Sequence, residues 1–294
     1  MSPPRTGPAS TAGPDLLSTT AEALARFLVA SLCAIANGVD LIDAVLVLAV
    51  AQANISRVTA DPDLQRRFAD AASIPDDSHR RPISVSALAA SLGLPFETVR
   101  RRLGRLAAAD LCEASPGGYW VPARLTAIPP FSEAPSRIYG LLSDLHHRLA
   151  DQDLLPETPS DQAAPWTEPP LRLAARLAGD FILRLLELLH QQTLELVDSV
   201  LVVAVFDAAP PGRAASAAAV ARNLSLPHET TRRHMKKLEA SGHLQRIRGG
   251  WRLSGAGLDV VRRSLGSQDA LADVRRLFAS LARYGVVDLW RAAT

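Results

Sequence analysis

Apolar residues recur every three to four positions near the start of the chain, where Leu24, Phe27, Leu28, Leu32 and Ile35 share one face. That spacing predicts an amphipathic helix from Thr20 to Asn37, ended by Gly38. Asp40 predicts the N-cap of a second helix reaching about Ile55. This helix is apolar nearly all round, which places it in the middle of a bundle. Residues 58–82 turn polar and predict a surface connection with a short helix at Asp63–Ala71. From Ser84 the pattern predicts a helix through Ser91, capped by Ser84 or Ser86. Gly93 then makes a tight turn, and Pro95 opens another helix running to about Ala109. Short β-prone runs follow at 111–122 around Gly117-Gly118, a hairpin signal.

The same pattern returns further along. Residues 92–101 read LGLPFETVRR and residues 224–233 read LSLPHETTRR, identical at seven of ten positions. Upstream, GVDLIDAVLVLAVAQAN at 38–54 matches TLELVDSVLVVAVFDAA at 193–209. Downstream, Ile138, Leu141, Leu142 and Leu145 match Val274, Leu277, Phe278 and Leu281 in spacing. Three blocks in one order, twice, predict a duplicated unit of roughly 130 residues. The expected organisation is a disordered tail at 1–19, a first unit at 20–152, a Pro-rich acidic linker at 153–170 and a second unit at 171–294. The polar connection shortens in the second copy to Ala208–Arg213.

Composition changes the picture little. Aromatic residues make up 5% of the chain, so the core must be built from Leu, Val and Ala, which suits helices. The net charge of +2 is uninformative without its distribution. Lys236 and Lys237 are the only lysines, and the remaining basic residues are arginines. Residues 1–20 lack the apolar segment of a signal peptide, and the stretch from Val29 to Ala53 is broken by Asn37, Gly38, Asp40 and Asp43. A cytoplasmic, nucleoid-associated protein without a membrane span is the expectation. Cys33 and Cys112 form neither a disulfide framework nor a zinc ligand set and are expected to be buried thiols.

A "LP-x-ETxRR" helix preceded by a short helix and followed by a Gly-Gly hairpin resembles the winged helix-turn-helix of bacterial regulators of the MarR, GntR and DeoR types, over 84–122 and 216–254. The resemblance implies a mainly α fold with small β wings, in which two winged helix-turn-helix modules stand in tandem. The flanking helices are similar in order to the MarR plan. They imply a pseudo-dimer joined through helices 20–37, 136–150, 171–192 and 268–284, with a true homodimer as the rival. It also implies double-stranded DNA as the partner.

On a helical wheel, Val99, Leu103 and Leu106 face the module's core, as do Thr231, Met235 and Leu238. The opposite face holds Glu97, Arg101 and Arg105, flanked by Thr98 and Arg100. Its counterpart holds Glu229, Arg233, Lys236 and Lys237, flanked by Thr230 and Arg232. Arg, Thr and Glu are the residue types that read a major groove. Glu97 and Glu229 either accept from cytosine or satisfy the helix N-terminus, the second being favoured. Arg246, Arg248 and Arg252 make the second hairpin a phosphate clamp. The first hairpin has Glu113 and no Arg, and should touch DNA weakly. Gly104 stands where the second copy has Lys236, so the two heads should read different half-sites.

His146-His147 lacks companions at metal-ligand spacing and reads as solvated or helix-packing histidines. Trp120 and Trp251 read as aromatic packing against the recognition helices, and Trp166 has no assigned role. No P-loop, GxSxG, HExxH or dinucleotide fingerprint is present, and the chain reads as a non-enzyme without metal or cofactor. Two alternatives to a sequence-specific regulator are a protein-interaction scaffold and a weakly specific architectural DNA binder. MarR-like proteins hold small apolar effectors beside the DNA-binding lobe. The resemblance therefore allows such a ligand next to helices 40–55 and 195–206, where a plain helical core is the alternative.

Overall fold

A computed structural model describes residues 14–292 other than 37–38, 130, 157–165, 193 and 210–212. The breaks expected at Gly38 and around Pro210–Gly212 therefore lie outside the described residues. Within them the chain is mainly helical, with two small two-stranded sheets. The first half contains α1 (Pro14–Ala36), α2 (Leu41–Asn54), α3 (Ser56–Ala60), α4 (Pro62–Arg67), a 3-10 turn at Asp77–His79, α5 (Val85–Leu92), α6 (Phe96–Ala108), β1 (Glu113–Ser115), β2 (Gly118–Trp120), α7 (Ala123–Thr126) and α8 (Ala134–Ala150). The second half contains α9 (Leu171–His190), α10 (Leu196–Ala208), α11 (Ala217–Asn223), α12 (His228–Ala240), β3 (Leu244–Ile247), β4 (Gly250–Leu253), α13 (Gly255–Ser264), α14 (Gln268–Arg283) and α15 (Val286–Ala292).

Two boundaries differ from expectation. Residues 14–19 belong to α1 and not to a tail, because the helix continues back past Thr20, whose hydroxyl donates to the Leu16 carbonyl. The expected linker is docked at both ends. Leu154 is buried and its carbonyl accepts from Arg275, while the Trp166 indole donates to the Tyr284 carbonyl. The polar connection is more ordered than expected, holding α3, α4 and the 3-10 turn. By length and composition α1 could cross a membrane, and it is the only such helix among the described residues. Its apolar side is packed inside the protein, with Leu24, Leu28 and Leu32 fully covered.

The halves do not pack side by side as separate bodies. α1 lies against α8 of its own half and against α10 of the other, and α9 packs on both α8 and α14. One buried cluster accordingly runs through α1, α8, α9, α10 and α14 and into the second helix-turn-helix-hairpin segment. The first such segment has a core of its own, with Leu46, Val50, Leu88, Val99, Leu103 and Cys112 at its centre. Each fully buried Leu contributes about 1.5–3 kcal/mol.

Local chemistry fixes the repeated segment. Asp40 caps α2 by accepting from the Ile42 N–H, Ser84 caps α5 through the Ala87 N–H, and Ser216 caps α11 through the Ala219 N–H. The turn between the two helices is left-handed in both halves, at Gly93 (φ 60°) and Ser225 (φ 52°). One residue of the preceding chain bridges each hairpin, Ile83 to Tyr119 and Ala215 to Trp251. The second glycine of each Gly-Gly pair follows from this. A Cβ on Gly118 would stand 2.1 Å from the Ile83 carbonyl oxygen, and one on Gly250 would stand 2.2 Å from that of Ala215. Asn54 ties the first hairpin to α2, donating to the Arg81 carbonyl at 2.6 Å and accepting from the Val121 N–H at 2.8 Å.

His146 is buried among Phe278, Trp290 and His147 rings, a packing role in line with the sequence reading. No cluster of metal-ligating residues occurs among the described residues. Cys112 is buried and its thiol is pushed up to about 11 by burial, whereas Cys33 is only half-buried, short of expectation.

Two predictions concern stability. A non-glycine residue in the left-handed region carries about 1–2 kcal/mol of strain, so Ser225→Gly should raise the unfolding free energy by about 1 kcal/mol in urea titrations. Burial, with smaller effects of His147 and Arg291, lowers the His146 pKa to about 4. The neutral ring is the folded form, so its contribution is complete above the unfolded value near 6.5 and is lost as pH falls toward 4. By about pH 5 the loss should be about 2 kcal/mol, and His146→Leu should remove that part of the acid sensitivity.

Candidate nucleic-acid interface

α6 and α12 begin directly after Pro95 and Pro227 and bury the faces the wheel assigned. Val99, Leu103 and Leu106 are covered on α6, and Thr231, Met235 and Leu238 on α12. Glu97, Arg100, Arg101, Gly104 and Arg105 are exposed, and Thr98 is half-buried. On α12, Glu229, Arg233, Lys236 and Lys237 are exposed, while Thr230 and Arg232 are half-buried. Glu97, Thr98, Arg100, Arg101 and Arg105 line one open groove of about 620 Å³ together with Tyr119 of β2.

Several of these cations already have partners. Arg100 binds Glu97 three residues earlier, with Nη2 at 2.9 Å, and Arg232 binds Glu229 in the same way, its Nε at 2.9 Å. These pairs raise the pKa of both arginines, through the side-chain hydrogen bond first. Glu97 and Glu229 thus sit in the first helical turn but engage arginines, a role other than the N-terminal one favoured from the sequence. Both pairs are exposed, where water and salt screen them.

A second set of contacts latches each helix to the core helix before it. Arg102 reaches Asp40 at 2.8 Å and Asp43 at 2.7 Å, and Arg105 lies 4.0 Å from Asp43. At the aligned positions His234 Nδ1 lies 2.6 Å from Asp198, and Lys237 reaches Asp198 at 2.8 Å and Glu195 at 3.0 Å. Lys237 and, more loosely, Arg105 thus pair with the core helix while staying exposed, and Arg105 also lines the groove. The pattern left a trace in the sequence. Asp40 and Asp43, and Glu195 and Asp198, are acidic pairs three apart at the start of otherwise apolar helices.

Among the described residues Arg101, Arg233, Lys236 and Arg248 carry no ion pair. The hairpin arginines do not act as one clamp. Cross-strand partners share a face, and the register pairs Arg246 with Trp251 and Gln245 with Arg252. Arg246 stacks on the Trp251 ring at 4.1 Å, and the Trp251 indole donates to Glu239 of α12. Arg252 lies on the opposite face, where Gln245 accepts from it at 3.2 Å. Trp251 packs as expected. Trp120 occupies the position of Arg252 and faces away from the aligned packing site, which Tyr119 takes instead. Glu113 is bound to Arg124, so the first hairpin offers no free cation. Phe96, exposed at the start of α6, was not singled out from the sequence.

Helix faces of this kind, with unpaired cations, threonines and a flanking hairpin, can neutralise phosphates and bond to base edges. Comparison with protein-family models, curated proteins and solved structures finds no match for the chain.

The latches generate a prediction. Asp198 is buried and bound by both His234 and Lys237, so Asp198→Ala should lower the unfolding free energy by about 1.5–3 kcal/mol. Lys237→Ala, at an exposed end of the same network, should cost under about 1 kcal/mol. Urea titrations of both variants check the order.

Proposed function

We propose that the chain is a sequence-specific transcriptional regulator that binds double-stranded DNA through two winged helix-turn-helix units, with α6 and α12 laid in the major groove. The observation that carries this reading is the recurrence of one exposed cationic face. Arg101 on α6, and Arg233 and Lys236 on α12, stand free opposite buried faces of the same spacing. Phosphate competes readily with the exposed glutamates for Arg100 and Arg232, because those ion pairs are weak. The chain supplies both reading heads itself, which favours a pseudo-dimer of the MarR plan on one imperfect site of about 20 base pairs.

The two heads differ in strength on this reading. The second has Arg233, Lys236 and Arg248 free, whereas the first has Arg101 and, at position 104, no side chain. One observation favours the rival protein-interaction role. Phe96 is exposed beside Pro95 on the first head, where an apolar contact suits a protein partner.

Fluorescence anisotropy with a selected duplex and a scrambled one, at two salt concentrations, separates these readings. Arg100→Ala with Arg101→Ala, and Arg232→Ala with Arg233→Ala, should each weaken specific binding by about 1–3 kcal/mol per lost base contact and leave the fold intact. Lys236→Ala should weaken binding more than Lys237→Ala. Parent-like binding by both double variants defeats the proposal, and a two-chain particle on a perfect palindrome defeats the pseudo-dimer.

A further inference from the structure

The two latches hold matching acidic pairs with different cations. On α6 the inner cation is a guanidinium. Arg102 reaches Asp40 at 2.8 Å and Asp43 at 2.7 Å, and the outer cation, Arg105, stays 4.0 Å from Asp43. On α12 the inner position is His234, whose Nδ1 lies 2.6 Å from one oxygen of Asp198. The outer cation, Lys237, is drawn in, 2.8 Å from the other Asp198 oxygen and 3.0 Å from Glu195. The outer cation is therefore loose where the inner one is permanently charged, and tight where the inner one is an imidazole.

Asp198 accounts for the difference. Its side chain is 3% exposed, and a buried carboxylate without a cation is costly. Arginine stays charged at any working pH, whereas histidine is the side chain that changes charge between about pH 5 and 8. An ionised carboxylate only accepts, so Nδ1 donates to Asp198 in the neutral ring as in the imidazolium. Proton uptake thus keeps the contact and changes its charge. With the ring neutral, Lys237 alone meets the charge of Asp198. Its hydrogen bonds to Asp198 first, and then to Glu195, raise its pKa. With the ring protonated, the imidazolium meets that charge and repels Lys237, whose side chain is 52% exposed and regains rotamer freedom on leaving.

The surroundings add no competing charge. α12 packs on α10, α11 and β3. α10 contributes Asp198 and Glu195 to the cluster, and α12 contributes His234 and Lys237. α11 bears Arg222, and β3 bears Arg246, which is stacked on the Trp251 ring. Among the described residues neither of these pairs with the cluster.

We propose that His234 is a proton-operated switch in the second head: on taking up a proton it replaces Lys237 as the partner of Asp198 and releases Lys237 to the exposed cationic face. The first head, with Arg102 in that place, has no such switch and is fixed in the looser arrangement. One consequence rests on the reading of α12 as a DNA-binding helix: the second head gains a phosphate contact as pH falls, and the first does not.

The test uses the two lysines, since Lys236 and Lys237 are the only ones in the chain. Protein made with carbon-13-labelled lysine gives one Cε signal for each in NMR spectra, and Lys236→Arg assigns them. In the full chain without DNA, from about pH 8 to about pH 5.5, the Lys237 signal should move toward that of exposed Lys236. Its midpoint should coincide with that of the His234 ring. His234→Arg should leave Lys237 released throughout, and His234→Asn, which keeps a neutral donor, should leave it held throughout. A Lys237 signal that stays fixed while His234 titrates, or that moves alike in His234→Asn, overturns the proposal. So does a His234 ring whose charge does not change over this range. Fluorescence anisotropy with the selected duplex, at constant ionic strength, reads the consequence. Acidification should tighten binding by the parent at least about threefold more than by His234→Arg. Both proteins retain His228 and His243, the other imidazoles of this segment. Equal gains overturn the regulatory role. Absence of duplex binding at every pH defeats instead the reading of α12, and the lysine signals still decide the switch.

Discussion

The arrangement of the whole molecule depends on first helices exchanged in part between the halves. α1 packs on α2 of its own half and on α10 of the other, and α9 packs on α10 and on α2. Polar cross-links sit in both crossings. Gln52 on α2 donates to the Arg176 carbonyl at 2.7 Å and to Asp180 at 2.8 Å on α9, and Asp207 on α10 pairs with Arg26 on α1 at 3.6 Å. Each second helix is thus covered from both halves. α2 and α10 are apolar nearly all round, and such helices need cover on every side. The exchange supplies it, and it fixes the position of each helix-turn-helix segment, since α6 and α12 are latched to those same helices.

The latches are a compromise between position and availability. A helix presented to solvent by its cationic face needs an anchor on its flank. Asp40 and Asp43 on one side, and Glu195 and Asp198 on the other, use some of that positive charge to provide it. Arg105 and Lys237 are thereby paired at the edge of the exposed face, while Arg101, Arg233 and Lys236 are left without an ion pair. Charge on such a helix therefore divides into anchoring and presenting sets. A count of basic residues from the sequence overstates the presenting one.

Much of this was legible before any coordinates. Period fixed the buried faces of α6 and α12, and cap chemistry located Asp40 and narrowed the cap of α5 to Ser84 or Ser86. The glycine pairs marked both hairpins. What escaped was long-range. The wheel shows which direction Lys237 points, but only the packed chain shows that Asp198 waits there, across 39 residues of sequence. The alternation rule would have separated Arg246 from Arg252 had the strand register been known, because one position of shift moves a side chain to the other face. Arg172 and Arg176, which hold the 55–82 segment through the carbonyls of Ala71, Phe68 and Gln65, gave no local signal at all. Their partners there are backbone atoms, which every residue possesses. The N-terminal boundary failed for a related reason: Pro, Gly and Ser suggest disorder, yet residues 14–19 continue a helix whose burial is settled by distant packing.

Joining both halves in one chain also removes a constraint. In a symmetric dimer every substitution appears twice, so each surface must serve both copies alike. Here corresponding positions have separated. Arg102 stands against His234, Gly104 against Lys236 and Tyr119 against Trp251. The segment between the second helix and the helix-turn-helix is long in one half and short in the other. The divergence is uneven in a physically sensible way. Positions buried in both halves keep similar volume, as Leu103 and Met235 do, and Thr231, which stands for Val99, keeps the branched shape and donates its hydroxyl to the Pro227 carbonyl. Exposed and loop positions, which carry no such cost, account for most of the differences. The second helix-turn-helix segment is continuous with the main core, whereas the first has a separate core of its own.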